Sequence, residues 1–218
     1  MRNGAKLRTS LLLASAALMA QGTVTLDRIA LIVGKHVIKS SDIERDIRLT
    51  AFLNRQTADF SSKTKRQSAE RLIDQELIRQ ELATGSYKRP TEADAMAFQS
   101  QLVHDRFGGS EAALGRALSQ SGLTREQLAT ELLWQLTVLR FIDQRFQPGV
   151  SVSDDEVQLY AQQHRAELQK QNVGASAEVL QAKAREILEG ERVNQNLNTW
   201  LEQARMRTRI EYKQEAFG

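Results

Sequence analysis

The chain has 218 residues, with 30 Lys and Arg against 27 Asp and Glu, and no cysteine. Without thiols it has no disulfide framework, no thiolate metal site and no cysteine nucleophile, so stability has to come from packing. The positive excess lies in Arg2, Lys6 and Arg8; setting these three aside leaves 27 basic and 27 acidic residues, a balance that argues against nucleic acid as a partner.

Those three basic residues flank an apolar stretch over residues 11–20, and Ala20-Gln21-Gly22 puts small residues at both positions that decide cleavage. This is the pattern of a secretory signal covering residues 1–22, cut after Gly22 or, alternatively, after Ala20. A span of the bilayer needs about 20 apolar residues. The stretch is far shorter, so no stable membrane insertion is expected. No cysteine follows it, which excludes a lipid-anchored form.

Residues 26–33 (LDRIALIV) are rich in apolar and β-branched side chains, Gly34-Lys35 is a turn signal, and His36-Val37-Ile38 is a second short strand. Ser41-Asp42-Ile43-Glu44 reads as a capping box and predicts a first helix over residues 41–54. A second helix is predicted over residues 63–83, with Ala69, Leu72, Ile73, Leu77, Ile78 and Leu82 on its buried side and Gly85 as its stop. Thr91, after Pro90, caps a third helix that ends at Phe107 before Gly108-Gly109. Ser110 caps a short fourth helix that ends near Gly122. Thr124 and Gln127 make a second capping box for a fifth helix, which reaches Phe146 before Pro148-Gly149. Ser153 opens a sixth helix running to about Leu168. A polar link then fills residues 169–176, a long helix covers 177–206, and residues 207–212 alternate like a strand.

The expected fold is mostly α. A two-stranded hairpin is marginal alone, and residues 207–212 are the remaining good strand candidate. Pairing the two gives a small β-sheet joining the N-terminal hairpin to a C-terminal strand.

The residue types that carry catalysis are not grouped. His36, His104 and His164 stand at no metal-ligand spacing, and Gly108-Gly109 lacks the surrounding pattern of a phosphate loop. Asp154, Asp155 and Glu156 are accounted for by the preference of acidic residues for a first helical turn. No catalytic residue, cofactor or metal is expected.

The opening segment resembles the start of SurA-type periplasmic chaperones, in which a strand of the form D-x-I-x-A-x-V-N-x-x-V-I leads through a polar cap S-D-(I/L/V) into the first helix. Asp27, Ile29, Val33, Val37, Ile38, Ser41, Asp42 and Ile43 stand at matching places, with Gly34 where the family usually has Asn. Further on, Ser121-Gly122-Leu123-Thr124 with Leu128, Leu132 and Leu136 fit the family's last helix of this region. Trp200, Leu201, Ala204 and Arg205 before a strand fit the way such chains close. In the family the segment beginning near Val152-Ser153-Asp154 introduces a parvulin-type prolyl isomerase domain. Too few residues separate Pro148 from Ala177 for one. The resemblance thus implies a SurA N-terminal-like helical chaperone domain over residues 23–149 and a short connecting segment over 150–176 in place of the parvulin domain. A helix and strand over 177–218 would pack back on the first domain.

The fifth helix carries more apolar surface than a one-sided helix needs. Leu128, Leu132, Leu136, Leu139 and Phe146 share a face, and Trp134, Val138, Phe141 and Ile142 extend it to an arc of roughly 200°, against about 100° for an ordinary amphipathic helix. Either the helix is packed on two sides, or part of the arc lines a groove. On the second reading the candidate peptide-binding residues are Trp134, Phe141 and Val138, with Phe52, Phe98 and Phe107 from other helices.

What the resemblance implies is an ATP-independent periplasmic chaperone that is not an enzyme. Its partners would be unfolded or extended client polypeptides, outer-membrane β-barrel proteins in transit among them. The alternatives are a divergent prolyl isomerase and a structural envelope protein with one dedicated partner. The signal gives the first test. Intact-mass measurement of secreted protein is expected to show a chain beginning at Thr23 or Gln21; full-length chain recovered in washed membranes would contradict it.

Overall fold

The structure, a computed structural model, describes residues 27–217. The expected signal at residues 1–22 lies outside them. Among the described residues there are eight α-helices and one three-stranded antiparallel sheet, a mostly helical fold as the composition predicts.

Strand β1 (Ile29–Val33) turns into β2 (His36–Lys39). The turn needs Gly34, whose φ of +61° lies in the left-handed region where a Cβ is costly. Val33 faces His36 and Leu31 faces Ile38 across the pair, with a bulge between Ile29 and Leu31. Helix α1 (Ser40–Leu53) follows directly. It starts one residue before the predicted cap, and Ser41 does not cap it. The Ser41 N–H and hydroxyl both donate to the Asp27 carboxylate, while the Asp42 carboxylate accepts the Lys39 N–H at 2.9 Å. The hairpin brings Asp27 back beside Ser41, a closeness that a local pattern does not contain.

Helices α2 (Ser62–Thr84), α3 (Glu92–Phe107), α4 (Glu111–Gln120) and α5 (Arg125–Arg145) come next. Their first turns are closed by side chains: Ser61, Thr91 with Asp94, Ser110, and Thr124 with Gln127. Each cap satisfies a backbone N–H that the helix itself leaves open. Helices α3 and α5 run antiparallel. Arg140 of α5 donates to Asp94 at the start of α3, and Leu128 and Leu132 pack with Leu102 and Val103 near its end.

Beyond α5 the structure departs from expectation. The predicted single sixth helix is two: α6 (Asp154–Gln163) and α7 (Arg165–Gln171), broken at His164. The connecting segment is therefore folded. With the first half of α8 (Ala177–Arg207) these helices enclose Val152, Val157, Leu168, Leu180 and Ala184. Arg185 and Arg192 of α8 donate to the Val152 and Ser151 carbonyls and pair with Asp154 and Glu156. Leu168, buried but flanked by polar neighbours, gives too little periodic signal to reveal a separate helix.

The second half of α8 packs on α2, and strand β3 (Ile210–Tyr212) then adds to the free edge of β1. Val33 faces Ile210, Ile32 faces Glu211 and Leu31 faces Tyr212. The strand is shorter than the alternation suggested, because residues up to Arg207 remain helical. Arg205 locks the arm, its Nε donating to Asp74 at 2.8 Å and its Nη1 to Glu70 at 2.5 Å. Burial pushes the Tyr212 hydroxyl up to about 12, and its hydrogen bond to Glu70 adds to the rise, so it stays a donor. One apolar cluster joins the sheet to α1 and α2 through Leu31, Ile43, Ile47, Ile73 and Leu77.

Trp200 connects that cluster to a second one around Phe141 and Val193. Its ring lies 5.5 Å from Phe141 and 6.1 Å from Phe146, with Arg145 over it at 5.3 Å. The ring is half-buried, so Trp200→Ala is expected to cost about 3 kcal/mol, the low end for loss of a packed tryptophan. Urea unfolding measures this, and equal midpoints for the two proteins would contradict the docking of the arm.

Candidate functional site

Helix α5 explains its own wide apolar arc. Its first half buries Leu128 and Leu132 against α3, α4 and α1. Its second half turns a different face inward, burying Phe141 with Ile78 and Leu82 of α2 and Val193 of α8. Two ordinary faces, used in succession, add up to one broad arc. Phe141 is fully buried, ringed by Tyr87 at 5.1 Å, Phe146 at 5.6 Å and Trp200. It is a core residue and lines no groove. Val138 is half-buried in the same cluster.

Two turns before Phe141 the face that it buries is open. There α2 and α5 diverge and leave a cleft floored by Trp134. The Arg79 guanidinium lies over the indole ring at 4.3 Å, a stacked cation that fixes both side chains. This stack divides the cleft. On the α1 side lies a cavity of about 360 Å³, with Leu49, Leu72 and Trp134 as apolar wall and Asp42, Arg45, Asp46 and Glu131 as polar wall. On the other side lies one of about 490 Å³, lined by Leu82, Ala83, Leu133 and Thr137 and bordered by Arg89 and Pro90. The α5 residues involved, from Glu126 to Thr137, span about 17 Å at 1.5 Å per residue, the length of about five residues of extended chain.

Part of the polar wall is tied into the fold by hydrogen bonds. Asp46 is nearly buried and accepts from the Ser68 hydroxyl at 2.7 Å and from Arg71 at 2.5 Å. Ser68 also reaches the Ile43 carbonyl, so α1 and α2 are tied by a buried polar group that is hydrogen-bonded on several sides. Glu131 is different. Burial raises its carboxyl above the ordinary value. A hydrogen bond from Gln135 at 3.0 Å and the charges of Arg79 and Arg71 offset only part of that, and nearby Asp46 adds to the rise.

The other predicted residues do not join this cleft. Phe52 stacks on Phe107, ring centroids 6.4 Å apart, in the cluster shared by α1, α3 and α4. Phe52 also lines a separate cavity of about 640 Å³ with Ala51, Ala58, Gln56 and Phe60, and Arg48 lies over the Phe60 ring at 5.2 Å. Phe98 is exposed on α3, as are Met96 of α3 and Leu139 of α5. Of the six candidates the cleft thus holds Trp134 alone. The sequence reading missed Arg79, Leu133 and Glu131. The signal for Glu131 was present, since it is an acid three residues before Trp134 and inside the apolar arc.

Among the described residues no group of His, Asp and Glu is placed to hold a metal ion, and no helix is long and apolar enough to cross a membrane. Compared with known proteins, the chain matches no family model, and no curated protein matches it.

The state of Glu131 has a measurable consequence. Its folded pKa is raised, so the stability tied to it is fully present below the ordinary carboxyl range and is lost as pH rises through the raised value. Glu131→Gln removes that loss and keeps an oxygen for Gln135. The variant is expected to have a higher urea midpoint than wild type at pH 7, with the difference closing below about pH 4. A variant less stable than wild type at pH 7 would contradict this.

Proposed function

We propose that this protein is an ATP-independent chaperone of the cell envelope that holds unfolded or extended polypeptides in the periplasm, outer-membrane β-barrel proteins in transit among them. The observation that carries the reading is the open cleft at Trp134, with apolar side chains on both sides of a fixed aromatic–arginine stack. Apolar pockets set in a row along a groove suit an extended chain, which presents side chains at regular intervals while its backbone bonds to polar groups at the rim. Strands of β-barrel clients alternate apolar and polar residues, and such a segment in extended form offers an apolar side chain every second position.

The SurA resemblance supports the same reading independently, over the hairpin, the last helix of the first region and the closing arm. The secretory signal read from the sequence supports the compartment. The activity proposed is holding, with no chemical step and no nucleotide or cofactor. Affinity is modest, because an unfolded client loses conformational entropy when it is held.

Light scattering of a diluted, denatured porin tests the reading. Several-fold excess of the protein is expected to suppress aggregation without nucleotide, and Trp134→Ala, shown by circular dichroism to be folded, to lose more than half of the suppression. No suppression by wild type would overturn the function. Suppression that survives Trp134→Ala would move the groove to the Phe52–Phe60 cavity, where Phe60→Ala tests it.

A further inference from the structure

We propose that the cavity between α1, α2 and the Trp134 end of the cleft is a subsite for a basic side chain, a lysine or arginine of the bound polypeptide, with Glu131 as its counter-charge. The inference rests on the client-holding reading and narrows the class of segment held.

The charges on the cavity wall are unequally matched. Glu126 is exposed at the first turn of α5 and is hydrogen-bonded with Thr124. Asp42 is paired with Arg45 and accepts the Lys39 N–H. Asp46 is held by Ser68 and Arg71. Arg79 is committed to the face of Trp134 and donates to Gln75. Glu131 has the neutral amide of Gln135 as its hydrogen-bond partner; the charges of Arg79 and Arg71 reach it, but among the described residues neither forms an ion pair with it, Arg71 pairing with Asp46 and Arg79 lying nearest Glu76. A half-buried carboxylate whose burial is only partly offset by more distant charges gains from a cation in direct contact. In this position it stands on the wall of a cavity of about 360 Å³.

The remaining walls define what fits. Leu49, Leu72 and the indole of Trp134 form an apolar surface leading towards Glu131. A lysine or arginine matches both parts, since its aliphatic stem lies along apolar surface while its charged head stays with polar partners. An acidic side chain would face Asp46 and Glu131 together. A neutral one would leave the carboxylate as it was. The neighbouring cavity beyond the Arg79–Trp134 stack is lined by Leu82 and Leu133 and takes an apolar residue. The favoured segment is therefore an extended one in which a basic residue stands close to apolar ones.

Fluorescence anisotropy with the full secreted chain tests this. Three labelled peptides of one alternating apolar sequence would differ at a central position: lysine, norleucine or glutamate. Wild type is expected to bind the lysine peptide about fivefold tighter than the norleucine peptide, between the strengths of exposed and desolvated charge pairs, and the glutamate peptide weakest. In Glu131→Gln the lysine preference is expected to fall to about one. Equal binding of lysine and norleucine peptides by wild type overturns the subsite without needing any variant, and so does a preference that survives Glu131→Gln in folded protein. Either result leaves the holding function in place. Failure of wild type to bind any of the three peptides overturns the function itself, and the subsite with it.

Discussion

Strand β1 depends on a partner from the opposite end of the chain. Its hairpin with β2 is only a few residues long, and two short strands do not hold together in water unaided. The pairing of Leu31, Ile32 and Val33 with β3 closes a loop that contains every helix. Closing a loop of that length costs on the order of 5 kcal/mol of chain entropy. The cost is offset locally, by Trp200 in its aromatic surroundings, by the forked hydrogen bonds of Arg205, and by the burial of Phe217 with Leu31 and Ile73. The helices between are thereby enclosed by contacts between the two ends of the described chain.

Helix α2 is where these constraints meet. One side gives Ile73 and Leu77 to the sheet cluster and another gives Ile78 and Leu82 to the cluster around Phe141. Between them run two polar lines: Glu70 and Asp74 towards α8, and Arg71, Glu76 and Arg79 towards the hairpin, α1 and α5. Burial raises Asp74 despite its bond from Arg205; at Glu70 the bonds from Tyr212 and Arg205 outweigh burial and lower it. Apolar contacts place the helix, and charged side chains, each with a particular partner, set its rotation. Beside α2 the face of α5 changes from the Leu128–Leu132 cluster to the Phe141 cluster, and the cleft at Trp134 lies between the two.

The local elements were legible in the sequence because their signals are local. Thr91, Ser110, Thr124 and Ser153 each sit where a first helical turn has open N–H groups, and all four cap. The alternation before Tyr212 and the isolation of the hairpin were enough to join the two ends of the sheet. What depended on which neighbour arrives was not legible. Trp134 and Phe141 lie seven residues apart on one face of α5 and look equivalent in sequence, yet one floors a cleft and the other is sealed by three aromatic rings. Phe52 and Phe107 met each other and not Trp134, because α3 runs back along α5 and carries Phe107 to its other end. The break at His164 was hidden because two short helices that both pack on α8 leave no helical period long enough to read.

Helix α8 runs unbroken from the small lobe of α6 and α7 to the sheet, about 46 Å at 1.5 Å per residue. Its buried residues fall in two groups, Leu180 and Ala184 in the lobe and Val193 in the main body. Between them stands Gly190, exposed, with nothing within 4 Å of where a Cβ would be. A glycine in an exposed helix interior costs about 1 kcal/mol against alanine. Arg192, two residues further on, reaches back to the Ser151 carbonyl and to Glu156 of α6, while Arg185 before it holds Val152 and Asp154. The lobe is thus bonded to α8 on both sides of this glycine, and one continuous helix carries it to the main body as a strut.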